Sequence, residues 1–152
     1  MHVIKASNLF TWFFVLVHIK CLTYFESKMK SMHIEETLGT PKVDLNPNGE
    51  LLIQGRSLPI DPVGFYNPII DWVMACEISS VQLNIRLDYL NTSSAKQLYS
   101  IIMLLKENPS VTSLIINWFY EEGDEDGYNT GREFESLVNI QFIFHEYAEI
   151  LD

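Results

Sequence analysis

Val81-Gln-Leu-Asn-Ile-Arg-Leu87 alternates without a fault, with Val81, Leu83, Ile85 and Leu87 on one side and polar residues on the other. A period of two is the signature of a strand with one face buried against other elements. Asp88-Tyr-Leu-Asn91 leaves this strand, and Thr92-Ser-Ser94 opens a helix to about Glu107 with Leu98, Ile101, Ile102 and Leu105 as its inner stripe. Asn108-Pro109 stops the helix, because proline bars the residue before it from the helical region. Val111–Trp118 then reads as a second strand, and its unbroken Leu114-Ile-Ile116 predicts burial on both faces. A strand, a helix and a strand in this order constrain the chain to an α/β unit.

The flanking segments extend that unit. Thr40–Leu45 and Glu50–Gln54 read as short strands around the Asn-Pro and Asn-Gly turn at 46–49, and Gly55-Arg-Ser-Leu-Pro59 breaks the second of them. Asp61-Pro62 is a helix start, an acidic N-cap followed by proline where its missing N–H costs nothing. Phe65, Ile69, Trp72, Val73 and Cys76 continue at helical spacing, with Pro68 predicting a kink or a later start. Glu121–Gly127 reads as a loop, Gly131–Leu137 as a short helix and Gln141–Tyr147 as a last strand. The expected order is β-β-α-β-α-β-α-β, a single α/β domain with helices packed on a mixed central sheet.

Residues 1–31 stand apart. They carry four bases and one acid, whereas residues 32–152 carry six bases and nineteen acids, a net charge of −13. Leu9–Ile19 is apolar but shorter than the ~20 residues that span a bilayer, and no small-x-small cleavage site follows. Three readings are open: a signal or membrane anchor, an extra element packed on the domain, or an upstream stretch before a start at Met29 or Met32. The last is favoured, because recognisable organisation begins only after Met32. The division is therefore an N-terminal extension at 1–31 and a domain at 32–152, cytoplasmic unless residues 9–19 are an anchor. An acidic body without a basic stripe argues against nucleic-acid binding.

Chemistry is sparse. Cys21 and Cys76 match neither a zinc nor a disulfide pattern, and Cys76 reads as a buried thiol on a helix face. No G-x-S-x-G, phosphate-cradling glycine loop or H-E-x-x-H occurs. His33 and His145 have no local partners in sequence. Asp124, Asp126 and Glu135 fall at positions 1, 3 and 12 of a calcium loop, but Asn129 stands where glycine is required. The acids at 121–126 then read as a solvated loop, with a small metal-dependent or metal-binding role as the alternative. No cofactor or metal site is assigned.

The hydroxyls of Thr92, Ser93 and Ser94 lie where helix N–H groups are unpaired. Ser94 and Gln97 have capping-box spacing, so capping is one reading. Phosphorylation of one of the three is the other. A phosphoryl group there is favoured by the unpaired N–H groups and the macrodipole, and adds about 1.5 to 2 negative charges for a partner to meet. The residues alone do not choose among the three.

Thr40-Pro-Lys-Val43, Gly55-Arg-Ser-Leu-Pro59, Phe65–Trp72, Leu87–Lys96 and Asn117–Asp126 together resemble the SiaC family of bacterial regulatory phosphoproteins, over about residues 34–150. The resemblance implies a STAS-like fold and a partner-switching role in signal transduction, not an enzyme. It implies that Thr92 is phosphorylated by a dedicated Ser/Thr kinase and dephosphorylated by a PP2C-type phosphatase. It further implies that the unphosphorylated form binds and activates a diguanylate cyclase, raising cyclic-di-GMP and favouring biofilm. Tyr89, Asn91, Ser93, Ser94, Lys96, Tyr120, Glu121 and Glu122 are the candidate kinase or partner contacts. Two residues depart from the pattern: Leu90 replaces an aromatic and Gly123 an acid.

Overall fold

The computed structural model of the chain describes residues 29–148, so Leu9–Ile19 and Cys21 lie outside the described residues. The elements are β1 (Met32–Ile34), β2 (Lys42–Leu45), β3 (Glu50–Ser57), α1 (Pro62–Met74), β4 (Ser80–Leu90), α2 (Thr92–Glu107), β5 (Ser113–Glu121), α3 (Glu125–Val138) and β6 (Phe142–Tyr147). One six-stranded sheet holds them in the order β1-β2-β3-β4-β5-β6. β1 to β3 pair antiparallel, and β3 to β6 pair parallel. The sheet is therefore mixed, as expected, with one short strand more than the sequence order contained.

Each parallel step moves to the next strand through a helix, and right-handed crossovers in a constant direction place α1, α2 and α3 on one face. Leu51, Ile53, Val81, Leu83, Ile85, Ile116 and Trp118 point to that face and are buried beneath Tyr66, Ile69, Val73, Leu98, Ile101, Ile102 and Leu105. Among the described residues the opposite face has no helical cover. Ile115 is accordingly 42% exposed, which corrects the expectation that Leu114-Ile-Ile116 is buried on both sides. Asn117 is nevertheless buried on that open face: its Nδ2 donates to Asn84 Oδ1 at 2.9 Å, and its Oδ1 pairs with His145 Nε2 at 2.9 Å.

Several boundaries move. β3 runs through Gly55 to Ser57, and β4 continues to Leu90, so neither ends where turn residues suggested. Opposite the Gly55/Arg56 step the register passes from Leu87 to Tyr89, leaving Asp88 as the extra residue of a bulge. α1 starts at Pro62 with Asp61 as N-cap and runs past Pro68, so the helix does not wait for that proline. α3 begins at Glu125, six residues earlier than expected: Asp124 caps it by accepting from Gly127 N at 2.9 Å. Glu125 and Asp126 thus belong to a helical first turn, where carboxylates suit the positive end of the dipole, and not to a loop.

Met29 packs against the core, and Trp72 Nε1 donates to the carbonyl of Lys30 at 2.8 Å. His33 faces Asp44 across the β1–β2 pair and hydrogen-bonds both Asp44 and Glu35; Glu35 is only two residues away, which corrects the expectation that His33 has no local partner. Cys76 is buried as expected but lies just past the Ala75 C-cap of α1 instead of on a helix face, and burial pushes its thiol up. Among the described residues no helix is long and apolar enough to cross a membrane.

Candidate functional site at the carboxyl edge of the sheet

In a one-sided parallel array every strand delivers its carboxyl end to the same edge, and every following helix starts there. That edge collects the ends of β3 (Arg56, Ser57), β4 (Tyr89, Leu90), β5 (Tyr120, Glu121) and β6 (Glu146, Tyr147). The N-caps Asp61, Asn91 and Asp124 lie on it too. The nine site residues expected from sequence therefore share one edge, although they come from two separate stretches of chain.

The mouth of α2 sorts its three hydroxyls. Asn91, not Ser94, is the N-cap: its side chain accepts from Ser94 N at 2.8 Å, and its carbonyl accepts from Ala95 N at 2.8 Å. Thr92 and Ser93 take the first two helical positions and are exposed, whereas Ser94 is fully buried. The expected box between Ser94 and Gln97 is not formed, because the helix begins before it. Lys96 is exposed one turn further on.

Beneath this turn lies a buried hydroxyl group that sequence reasoning missed. Ser57 Oγ and the Tyr66 hydroxyl are 2.7 Å apart, and the Ser57 carbonyl accepts from Asn91 N at 3.0 Å. Burial pushes the Tyr66 phenol up, and the Ser57 and Ser94 hydroxyls hold it back in part. Ser94 Oγ is near enough for that effect yet falls short of hydrogen-bond geometry with any group. Ser57 and Tyr66 both lie within the quoted motifs, but only the fold shows that they meet. Tyr89 is half exposed and carries the Arg56 guanidinium 5.5 Å from its ring centroid.

At the β5 end, Tyr120 packs on Tyr128 with centroids 5.2 Å apart. Glu122 is exposed and its N–H donates to the carbonyl of Tyr147 at 2.8 Å, tying the turn to β6. Gly123 has φ of 81°, so the tight step from β5 to the cap of α3 demands the left-handed region that glycine accepts readily. The glycine in place of an acid thus has a backbone reason. The calcium-loop positions are dispersed: Asp124 is the cap, and Glu135 accepts from Phe142 N at 2.8 Å and pairs with Arg132 at 2.6 Å. Among the described residues no group of three or more His, Cys, Asp or Glu is arranged to hold a metal ion.

The fold and this edge define a single-domain α/β protein that presents an exposed hydroxyl at the mouth of a central helix. The chain belongs to the SiaC family of regulatory phosphoproteins, whose pattern it matches over residues 34–147. An uncharacterised protein of Pseudomonas aeruginosa (strain UCBPP-PA14) is 30% identical over 126 residues, covering 80% of this chain and all of its own length. The solved structure of apo-SiaC from P. aeruginosa is similar, with a TM-score of 0.68 and 28% identity over 77% of this chain and 99% of that one. A structure of the diguanylate cyclase SiaD in complex with its activator SiaC, from the same organism, matches with a TM-score of 0.69 and 30% identity over 76% and 99%.

Proposed function

We propose that this chain is a non-catalytic cytoplasmic switch. A Ser/Thr kinase phosphorylates Thr92, a PP2C-type phosphatase restores it, and the unphosphorylated form binds and activates a diguanylate cyclase. The observation that carries the reading is the position of Thr92: exposed, first in α2, beside a cap that already satisfies the Ser94 N–H. A kinase reaches this hydroxyl without unfolding anything, and the added charge meets the positive end of a helix whose first turn holds no acid. A hydroxyl opening the helix after a central strand also supports the STAS-like reading, with residues 32–152 as the domain.

Tyr89, Ser93 and Lys96 are the contacts we favour around Thr92, with Asn91 as the residue that holds the turn. Ser94 is better read as part of the packing beneath it. Tyr120, Glu121 and Glu122 extend the surface along the same edge. The partner class rests on the relative that forms a complex with a cyclase. A pull-down from native cells with Thr92→Ala as bait tests it: a diguanylate cyclase retained by that bait and lost with Thr92→Asp is the expected result. Equal retention by both baits rejects the switch, and retention of no cyclase rejects this output.

A further inference from the structure

Beyond the β5 end of the edge lies a cavity of about 220 Å³ bounded by Tyr120, Gly123, Asp124, Glu125, Tyr128 and Glu146. β5 supplies Tyr120, the first turn of α3 supplies Tyr128, and β6 supplies Glu146. The two tyrosine rings are inclined at 58°, so they form a wedge instead of closing on each other. Phe144 backs Tyr128 at 5.2 Å and carries the Arg132 guanidinium 5.4 Å from its own ring. The wedge is thus set by packing that does not depend on a ligand.

The rim is acidic, and no basic side chain among the described residues pairs with it. Among the described residues, ion pairs join His33 to Glu35 and Asp44, Lys42 to Asp44, and Arg132 to Glu135; none reaches Asp124, Glu125 or Glu146. Asp124 is occupied as a helix cap, which leaves Glu125 and Glu146, both exposed, as the carboxylates available to a ligand. Loss of hydration, then Glu146 and Tyr128, push the Tyr120 phenol up, so that wall stays neutral. Aromatic faces carry negative quadrupoles, and with bare carboxylates beside them they select a cation. The volume is below the ~300–1,000 Å³ of small-molecule sites and suits one side chain.

We propose that this cavity receives an arginine side chain of the switch's protein partner, its guanidinium against the Tyr120 and Tyr128 rings and its N–H groups donated to Glu125 and Glu146. A planar guanidinium stacks on a ring and bonds carboxylates in one pose, which an ammonium does not do. The inference rests on the proposed function only for the existence of a protein partner on this edge.

The test is a titration of the intact chain with N-acetyl-arginine amide, read by the ring-proton NMR signals of Tyr120 and Tyr128, against the neutral analogue N-acetyl-citrulline amide. Saturable shifts with arginine alone, weakened several-fold by Glu146→Gln and abolished by Tyr128→Ala, are expected. Equal shifts with citrulline, or no saturation with arginine, overturn the proposal. Glu146 is exposed, so its variant keeps the test decisive if Tyr128→Ala fails to fold. Adding Glu146→Gln to the Thr92→Ala bait then lowers capture of the partner several-fold; unchanged capture overturns the assignment of the occupant. Thr92 takes no part in the titration, so the cavity and the switch fail separately.

Discussion

Asn91 holds the backbone N–H of Ser94 on its side-chain oxygen at 2.8 Å, and this cap separates the buried Ser94 from Thr92 and Ser93, which meet solvent. With the cap at 91, Ser94 turns inward and Thr92 stands outside. Asn91→Ala should cost about 1 kcal/mol of stability, the usual loss of such a cap. Denaturant unfolding measures the loss, and amide exchange should quicken first in the opening turn of α2.

The same turn makes a second prediction that separates folding from binding. α2 has no acidic residue in its first turn. Thr92→Glu should therefore stabilise the fold by about 0.3–1 kcal/mol through the helix dipole, less at high salt. A variant that is more stable yet refuses the partner cannot be explained by damage. If Thr92→Glu lowers the thermal midpoint, the electrostatic account of this turn is wrong.

Tyr66 and Ser57 share a hydrogen bond in a fully buried setting. Tyr66→Phe removes one hydroxyl and leaves Ser57 Oγ unpaired, at a cost of about 1–3 kcal/mol. The double variant Tyr66→Phe, Ser57→Ala removes both groups and should recover part of that loss, a coupling that a double-mutant cycle reads directly.

Gly131 sits in α3 where a Cβ would lie 2.6 Å from Trp118 Cδ1 and 2.7 Å from Phe144 Cε1. Helix propensity alone favours Gly131→Ala by about 1 kcal/mol. Overpacking against two aromatic rings costs about 1–3 kcal/mol and should win. A fall in unfolding midpoint with altered Trp118 fluorescence is the expected signature.

His33 makes the edge strand β1 pH-sensitive. Hydrogen bonds to Glu35 and then Asp44 raise its pKa in the folded state. Protonated His33 is thus favoured by folding. Its contribution is complete below the unfolded value of about 6.5 and is lost as pH rises through the higher folded value. His33→Ala should flatten the stability–pH curve in that window and leave it unchanged well above it.

The sequence was most informative where pattern and context agree. The alternation of Val81–Leu87, the stripe of α2 and the Asp61-Pro62 start all survive in the fold, since each is a local preference that packing reinforces. Leu114–Ile116 misled because an apolar run records hydrophobicity but not the number of covered faces; the constant direction of the crossovers leaves Ile115 outside. Glu125-Asp126-Gly127 looked like a loop because acids and glycine mark turns, yet the same acids suit a helix N-terminus once Asp124 caps it. β1 is three residues long and carries too little pattern to be seen. In the candidate site, Asn91 to Lys96 were legible as a helix mouth, whereas the Ser57–Tyr66 pair and the Tyr120–Tyr128 wedge join residues that only the tertiary fold brings together.

The central claim is that phosphate on Thr92 separates the chain from its partner. Partner-bound and free protein, isolated from native cells and mapped by fragmentation mass spectrometry, test it in one measurement. The account predicts phosphate on Thr92 in the free pool and an unmodified Thr92 in the bound pool. Equal Thr92 occupancy in both pools, or phosphate carried by Ser93 instead, contradicts it.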